Sequence, residues 1–365
     1  MDDFKSAKQT WLWIIAALFT AAGLKGWLLW MDVVPFNSDE AVVALMARHI
    51  LQGERPIFFY GQAYMGSLDA YLIALGFALL GKQVWVIRLV QGILYLGTLI
   101  TTAMLGVMAF RSMRVGMLAA WLMAIPVVNV TLYTTVTLGG YGEALMIGNI
   151  ILILALRIAD RAEKNQRRFI WDWFVWGFIA GLGVWVFGLT LVYTIPTGVF
   201  LAAHLRRKSH VRLSLLLALL GGLVGLTPWW SFAIQHGFGA PLAELAGSAI
   251  AGVEGIPYMS QVWQHLTSLL LLGSMVIFGM RPPWGVNLLG IPLLPFVLAF
   301  WVMVVIYVFR RPSNRGSLNR KKLLAGVMLA VISAFVFTPF GADTSGHYFL
   351  PFVTPLALFA ADWVV

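Results

Sequence analysis

Residues 11–40 read WLWIIAALFTAAGLKGWLLWMDVVPFNSDE, and this stretch decides the class of the fold. Its first part, residues 11–31, holds one charged side chain, Lys25, and no proline. That is long enough to cross a bilayer as a helix. It is too long for the core of a signal peptide and lacks a small-residue cleavage site, so it reads as a retained span. An acidic pair, Asp39-Glu40, follows within a few residues. Carboxylates at a membrane interface are costly to desolvate and seldom kept there for packing alone.

The rest of the chain agrees with a polytopic, all-α membrane protein. Of 365 residues, 60% are hydrophobic and 11% charged, with a mean hydropathy of +0.86. A soluble domain carries about a quarter charged residues. Sixteen Trp and 24 Phe suit aromatic belts at the two interfaces. With no cysteine there is no disulfide, thiol nucleophile or thiolate metal site. A net charge of +10 would suggest nucleic acid in a soluble protein. Here the charge lies in short loops between apolar runs, so it reports topology and not a nucleic-acid partner.

Runs long enough to span lie near residues 11–31, 88–110, 115–133, 143–159, 212–232, 291–309, 323–341 and 349–365. Residues 172–205 hold two short helices, broken around Gly188-Leu189-Thr190. Basic residues cluster at Lys5 and Lys8, at Arg111 and Arg114, from Arg157 to Arg168, from Arg206-Arg207-Lys208 to Arg212, and from Arg310 to Lys322. These clusters contain 19 of the 25 Lys and Arg. Placing all of them in the cytoplasm puts the N-terminus inside. It also leaves Asp32, Asp39, Glu40, Glu54, Asp69, Glu143, Glu244, Glu254 and Asp343 outside. The apolar stretches 67–81 and 263–280 then read as helices in the outer interface, because adding either one alone as a span would invert every later basic loop. About ten transmembrane helices result, seven of them before a larger outer loop at 233–290. The whole chain, 1–365, reads as a single transmembrane domain with a first outer loop at 32–87. Ending at Val365 without a tail, it reads as a truncated product or a member lacking extra helices.

The first outer loop carries the candidate chemistry. Ser38 is a fitting N-cap, which puts Asp39 and Glu40 in the first helical turn, where the dipole favours negative charge. Val42, Leu45, Met46, His49 and Ile50 follow at helical spacing and give an interfacial amphipathic helix. Capping alone explains an acidic first turn. It does not explain why the turn lies beside Arg48, His49, Arg55, Tyr60, Gln62, Tyr64 and Asp69. Carboxylates, cations and aromatic rings together suit a sugar phosphate: carboxylates for an acceptor, cations for the phosphate, rings for the sugar faces. Glu143, after Gly139-Gly140-Tyr141-Gly142 in the second outer loop, is a further candidate, with a helix-entry turn as the competing explanation. His49 reads as a packed histidine.

The run S-D-E-A, A-R-H-I-L-x-G-E, F-F-Y-G-Q-x-Y-M-G-S-L-D-A-Y and G-K-Q-V-W-V-I-R, within residues 36–88, resembles the GT-C glycosyltransferases. More narrowly it is similar to bacterial relatives of protein O-mannosyltransferases and of the lipid A aminoarabinose transferase. The segment G-H-Y-F-L-P-F-V-T-P-L-A-L, residues 346–358, resembles their R-Y-x-L-P-x-x-P-x-L segment, with His347 where an Arg is usual.

The resemblance implies a sugar donor linked to polyprenyl phosphate and seven helices before a large outer loop. It implies Asp39 as catalytic base in an inverting displacement, Glu40 as a group that orients the acceptor, and Asp69 as a second catalytic carboxylate. Relatives follow that last acid with Lys-Pro or Pro-Pro, where this chain has Ala70-Tyr71. Arg55, Lys82, Arg88 and His347 are the cations for the donor phosphate, and Tyr60 and Tyr64 the rings for its sugar. No D-x-D, H-E-x-x-H, P-loop or G-x-G-x-x-G occurs, so neither a metal nor a nucleotide is expected.

The reading is therefore a membrane glycosyltransferase of a bacterial inner membrane, working on the outer face. Its acceptor is a hydroxyl of a protein, lipid or glycan, and no cofactor is required. A transporter or lipid-carrier flippase is the alternative. It would place ionisable groups in mid-bilayer along matching broken helices, whereas this chain gathers its acids in outer loops and has no internal repeat.

Overall fold

A computed structural model describes residues 2–163, 170–205, 211–243, 246, 253–285, 290–310 and 315–365. Part of the Arg157 to Arg168 cluster, the Arg206-Arg207-Lys208 loop, Arg311 and Glu244 lie outside the described residues. The fold is mostly helical (81%). In chain order the first helices are α1 (Asp2–Trp30), α2 (Ser38–Leu51), α3 (Leu68–Leu80), α4 (Val84–Phe110), α5 (Met113–Ala124), α6 (Val128–Tyr133), α7 (Tyr141–Glu163) and α8 (Ile170–Val186). The later ones are α9 (Leu191–Leu205), α10 (Val211–Gly225), α11 (Thr227–His236), α12 (Tyr258–Ser268), α13 (Ser274–Ile277), α14 (Gly290–Arg310), α15 (Arg315–Phe337) and α16 (Val353–Val364).

Among the described residues, Gln9–Trp30, Val84–Phe110, Tyr141–Ala162 and Ile291–Phe309 are long and apolar enough to cross a membrane. The α10–α11 pair makes a fifth if its 59° bend, next to Pro228, lies within one span. These are the helices of an integral membrane protein. The break expected within 172–205 is present as a 3₁₀ turn at Gly188–Thr190 between α8 and α9.

Three sequence expectations need correction. The run 115–133 is not one helix: α5 stops at Ala124 and α6 begins at Val128. Pro126 disfavours helical backbone at the residue before it and removes a donor. The run 349–365 is helical in two styles, a 3₁₀ segment His347–Phe352 containing Pro351 and then α16. Finally, the fold is not purely helical. The first outer loop holds a hairpin of β1 (Phe58–Phe59) and β2 (Gln62–Gly66), closed by Tyr60-Gly61 with Gly61 at φ +75°. A positive φ at a two-residue hairpin turn suits glycine.

The described residues form two compact units. The first comprises 1–21, 102–132 and 247–365, and the second 22–101 and 133–246. In the second unit α8 and α10 pack backbone to backbone. A methyl group at Gly177 would strike Ala218, one at Gly181 would strike Gly222, and ones at Gly221 and Gly225 would strike Phe174 and Phe178. Small residues at such spacing let helices approach closely where no hydrophobic effect drives them together. In the first unit, Gly106 meets Gly116 in the same way. There the Lys321 ammonium binds Asp362 at 2.7 Å and lies over the rings of Tyr307 and Phe110.

Candidate functional site

The acidic loop lies entirely in the second unit. After α1 the chain turns at Asp32, which has φ +45°, and enters α2. The N-cap is Asn37 and not Ser38. Its Oδ1 accepts from the Glu40 amide at 2.9 Å, while the Asn37 amide donates to Glu40 Oε2 at 3.3 Å. This reciprocal box leaves Glu40 facing inward, with its side chain 0% exposed. There both oxygens meet Arg88 of α4: Nε donates at 3.1 Å and the second amino group at 3.2 Å. The remaining amino group of Arg88 donates to Asp32 at 3.2 Å. Arg88 thus clasps both ends of the loop that leads into α2.

Asp39, one residue earlier than Glu40, points elsewhere. It is half-buried, and among the described residues no hydrogen bond or ion pair engages its carboxylate. Burial pushes that carboxyl above the ordinary carboxylate value. A half-buried carboxylate with no partner and a raised affinity for protons has the properties of a general base.

Asp69 and Glu143 form a second group. Asp69, in the first turn of α3, is 2% exposed and accepts from Gln91 Nε2 at 2.8 Å and from the Thr137 hydroxyl. That hydroxyl in turn accepts from the Gly139 amide at 3.0 Å. Glu143, in the first turn of α7, is 1% exposed and faces Asp69 closely enough for the two buried carboxyls to share a hydrogen bond. Glu40 is within electrostatic reach of Asp69.

The hairpin adds the aromatic wall. Tyr60 donates to Glu54 at 3.0 Å and meets His49 Nδ1 at 2.9 Å, and Tyr64 donates to Gln62 at 3.0 Å. Trp185 donates to the Ile57 carbonyl at 3.0 Å, and Met65 pairs with Phe187, so the hairpin is anchored at the end of α8. Gly66 is needed there, because a Cβ would strike the Trp185 carbonyl.

Of the expected phosphate cations, Arg55 and Lys82 are exposed and make no ion pair among the described residues. Arg88 is engaged by carboxylates. His347 belongs to the first unit, where it meets Ser345 at 2.6 Å and Asp343 at 3.2 Å. Lys25, inside α1, donates to Thr134 and Thr135, both at 2.7 Å. No set of three or more His, Asp or Glu among the described residues is arranged to hold a metal ion.

Sequence reasoning missed Asn37, Gln91 and Thr137, and the Trp185 bond to the first outer loop. Asn37 was readable, since N-x-x-E is a capping box with an Asn cap. The others act across 22 or more positions and leave no local signal.

No family model matches the sequence, and no curated protein matches it. Among solved structures, the chain is similar to ArnT from Cupriavidus metallidurans, whose crystal structure has undecaprenyl phosphate bound. The TM-score is 0.56 at 15% identity, over 96% of this chain and 59% of that one. This chain therefore spans less than two thirds of the ArnT structure's length. The likeness establishes the architecture: the chain is folded like ArnT.

Proposed function

We propose that the protein is a membrane glycosyltransferase that moves a sugar from a polyprenyl-phosphate-linked donor to an acceptor hydroxyl. The observation that carries this reading is the shared fold with ArnT, a protein that binds undecaprenyl phosphate. The composition and the acidic first outer loop support it. Asp39 acts as the base: it takes the acceptor proton as the hydroxyl oxygen attacks the anomeric carbon, and the lipid phosphate leaves with the bonding electrons. A single displacement inverts that carbon.

Glu40 holds Asp39 in place through the Arg88 clasp. Arg55 and Lys82 meet the donor phosphate, Tyr60 and Tyr64 face the sugar, and Asp69 with Glu143 forms a buried acidic floor. No divalent cation is required. The transferred group is a hexose or a pentose. About ten helices cross the inner membrane of a bacterium, with the N-terminus in the cytoplasm and the site on the outer face.

The test is sugar transfer by purified protein from a panel of polyprenyl-phosphate sugars, with and without EDTA, and with the anomeric configuration of the product read by NMR. Inverted product formed in EDTA supports the reading. Lipid-carrier flipping without any covalent product would replace it with the flippase alternative.

A further inference from the structure

Lys25 is a buried titratable group that the proposed transfer leaves unused. It lies in α1, five residues before the helix end at Trp30, where a long cationic side chain reaches the interface at little cost. It turns inward instead and is 5% exposed. An ionisable side chain kept inside a span is seldom there for packing, and here two of its hydrogen bonds go to one loop. The ammonium donates to the hydroxyls of Thr134 and Thr135, both at 2.7 Å, and sits over the Tyr95 ring, 4.8 Å from its centroid.

Thr134 and Thr135 open the second outer loop, 134–140, between α6 and α7. The loop is held again at Thr137, whose hydroxyl donates to Asp69. Gln91 donates to the other oxygen of Asp69 at 2.8 Å. Tyr95 and Gln91, one turn apart on α4, therefore back the two attachment points of the loop, Lys25 and Asp69. Beyond them the loop forms a platform. Gly139 and Gly140 have φ of +75° and +73°. A Cβ at Gly139 would come within 3.0 Å of the Phe59 ring, and one at Gly140 within 3.0 Å of the Val186 carbonyl. Phe59 precedes Tyr60 in the hairpin, and Val186 ends α8, where the hairpin is anchored. All these groups belong to the second unit.

We propose that Lys25 is a positioning residue for the transfer. Through Thr134 and Thr135 it sets the second outer loop, and the loop in turn sets Asp69 and the hairpin that carries Tyr60 and Tyr64. The inference rests on the transfer reading for what is positioned, whereas the ordering of the loop by Lys25 is tested without it. Misplacing reacting groups by about 1 Å costs up to about a hundredfold in rate, which is the reason to bury a cation beneath this loop.

The experiment uses the full chain in detergent and in proteoliposomes. The chain has no cysteine, so Leu138→Cys, at a half-buried position of the loop, carries a unique nitroxide. Its EPR line shape reports loop order without any substrate. Lys25→Met should add a mobile component to that spectrum and lower kcat about tenfold or more. Donor KM should stay within about threefold of wild type, because Arg55 and Lys82 are untouched. Lys25→Arg, which keeps a donating cation, should recover part of kcat. The triple variant Lys25→Met/Thr134→Val/Thr135→Val makes the whole polar cluster apolar, and so separates positioning from stability. Its melting temperature should return to within about 4 °C of the parent, while the kcat loss and the mobile spectrum persist.

Recovery of kcat together with stability in the triple variant makes Lys25 structural and overturns the proposal. So does wild-type kcat, or an unchanged nitroxide spectrum, in Lys25→Met. Absence of transfer by folded wild type defeats the transfer reading instead. The nitroxide spectrum of Lys25→Met then decides alone whether Lys25 orders the loop.

Discussion

Arg88→Met is the perturbation whose size follows most directly from the geometry. It removes the guanidinium that meets both oxygens of Glu40, a side chain with 0% exposure, and leaves only Asn37 to bind them. Stranding one half of a buried ion pair costs about 3–5 kcal/mol, because the remaining charge stays desolvated. The Asp32 contact adds little, since Asp32 is 84% exposed and such pairs are worth about 0–1 kcal/mol. The double variant Arg88→Met/Glu40→Met removes both charges, and its stability should return to within about 1–2 kcal/mol of the parent, the residue being the lost capping box. Equilibrium unfolding in detergent, followed by tryptophan fluorescence, completes the cycle. A single variant that costs under about 1 kcal/mol, or a cycle with no coupling, would refute the clasp. Donor KM in the stable double variant separates anchoring from phosphate binding. It should stay within about twofold of wild type, and a rise of about tenfold, worth 1.4 kcal/mol of binding, would place Arg88 on the donor.

Because burial raises the Asp39 carboxyl and a base works deprotonated, transfer should fall on the acid side at a higher pH than an ordinary carboxylate would give. An acid limb of kcat/KM at or below the ordinary aspartate value would count against Asp39. Gly177→Leu forces a side chain into the α10 backbone at Ala218, and should destabilise the second unit by about 1–3 kcal/mol or prevent folding. An unchanged melting temperature would refute the close approach of α8 and α10. Glu143→Met removes one of two facing buried carboxyls together with the hydrogen bond they share, so stability should stay within about 1–2 kcal/mol of wild type. Transfer should nevertheless drop about tenfold or more, a loss of at least 1.4 kcal/mol of transition-state stabilisation. A loss of stability with transfer intact would make Glu143 structural.

Much of this architecture was legible in the residues, and the exceptions share a cause. Apolar length and the positions of basic residues mark α1, α4, α7 and α14, because bilayer thickness imposes one dominant constraint. The break at Gly188–Thr190 was legible for the same reason: a stretch of that length needs a turn. The α5 boundary was misread where hydropathy outweighed Pro126, although proline acts on backbone and not on polarity. The hairpin from Phe58 to Gly66 was read as an open loop, yet Tyr60-Gly61 between aromatic and apolar residues is a turn signal. At the site, the residues marked Asp39 and Glu40 as a pair, and only the family resemblance gave them separate roles. Their separation into a free carboxylate and a clasped one depends on Arg88, 48 positions later. The Gln91 and Thr137 bonds to Asp69 are likewise tertiary, so no local pattern carries them.

The central claim is that Asp39 is the base of a polyprenyl-phosphate-dependent transfer. Its most direct test is transfer of radiolabelled sugar in proteoliposomes by wild type and Asp39→Asn, with donor binding measured on both proteins. The account predicts transfer by wild type, a loss of at least about a hundredfold in the variant, and donor affinity unchanged within about twofold, since the carboxylate acts on the acceptor. Undiminished transfer by Asp39→Asn, or none by folded wild type with any donor it binds, would contradict it.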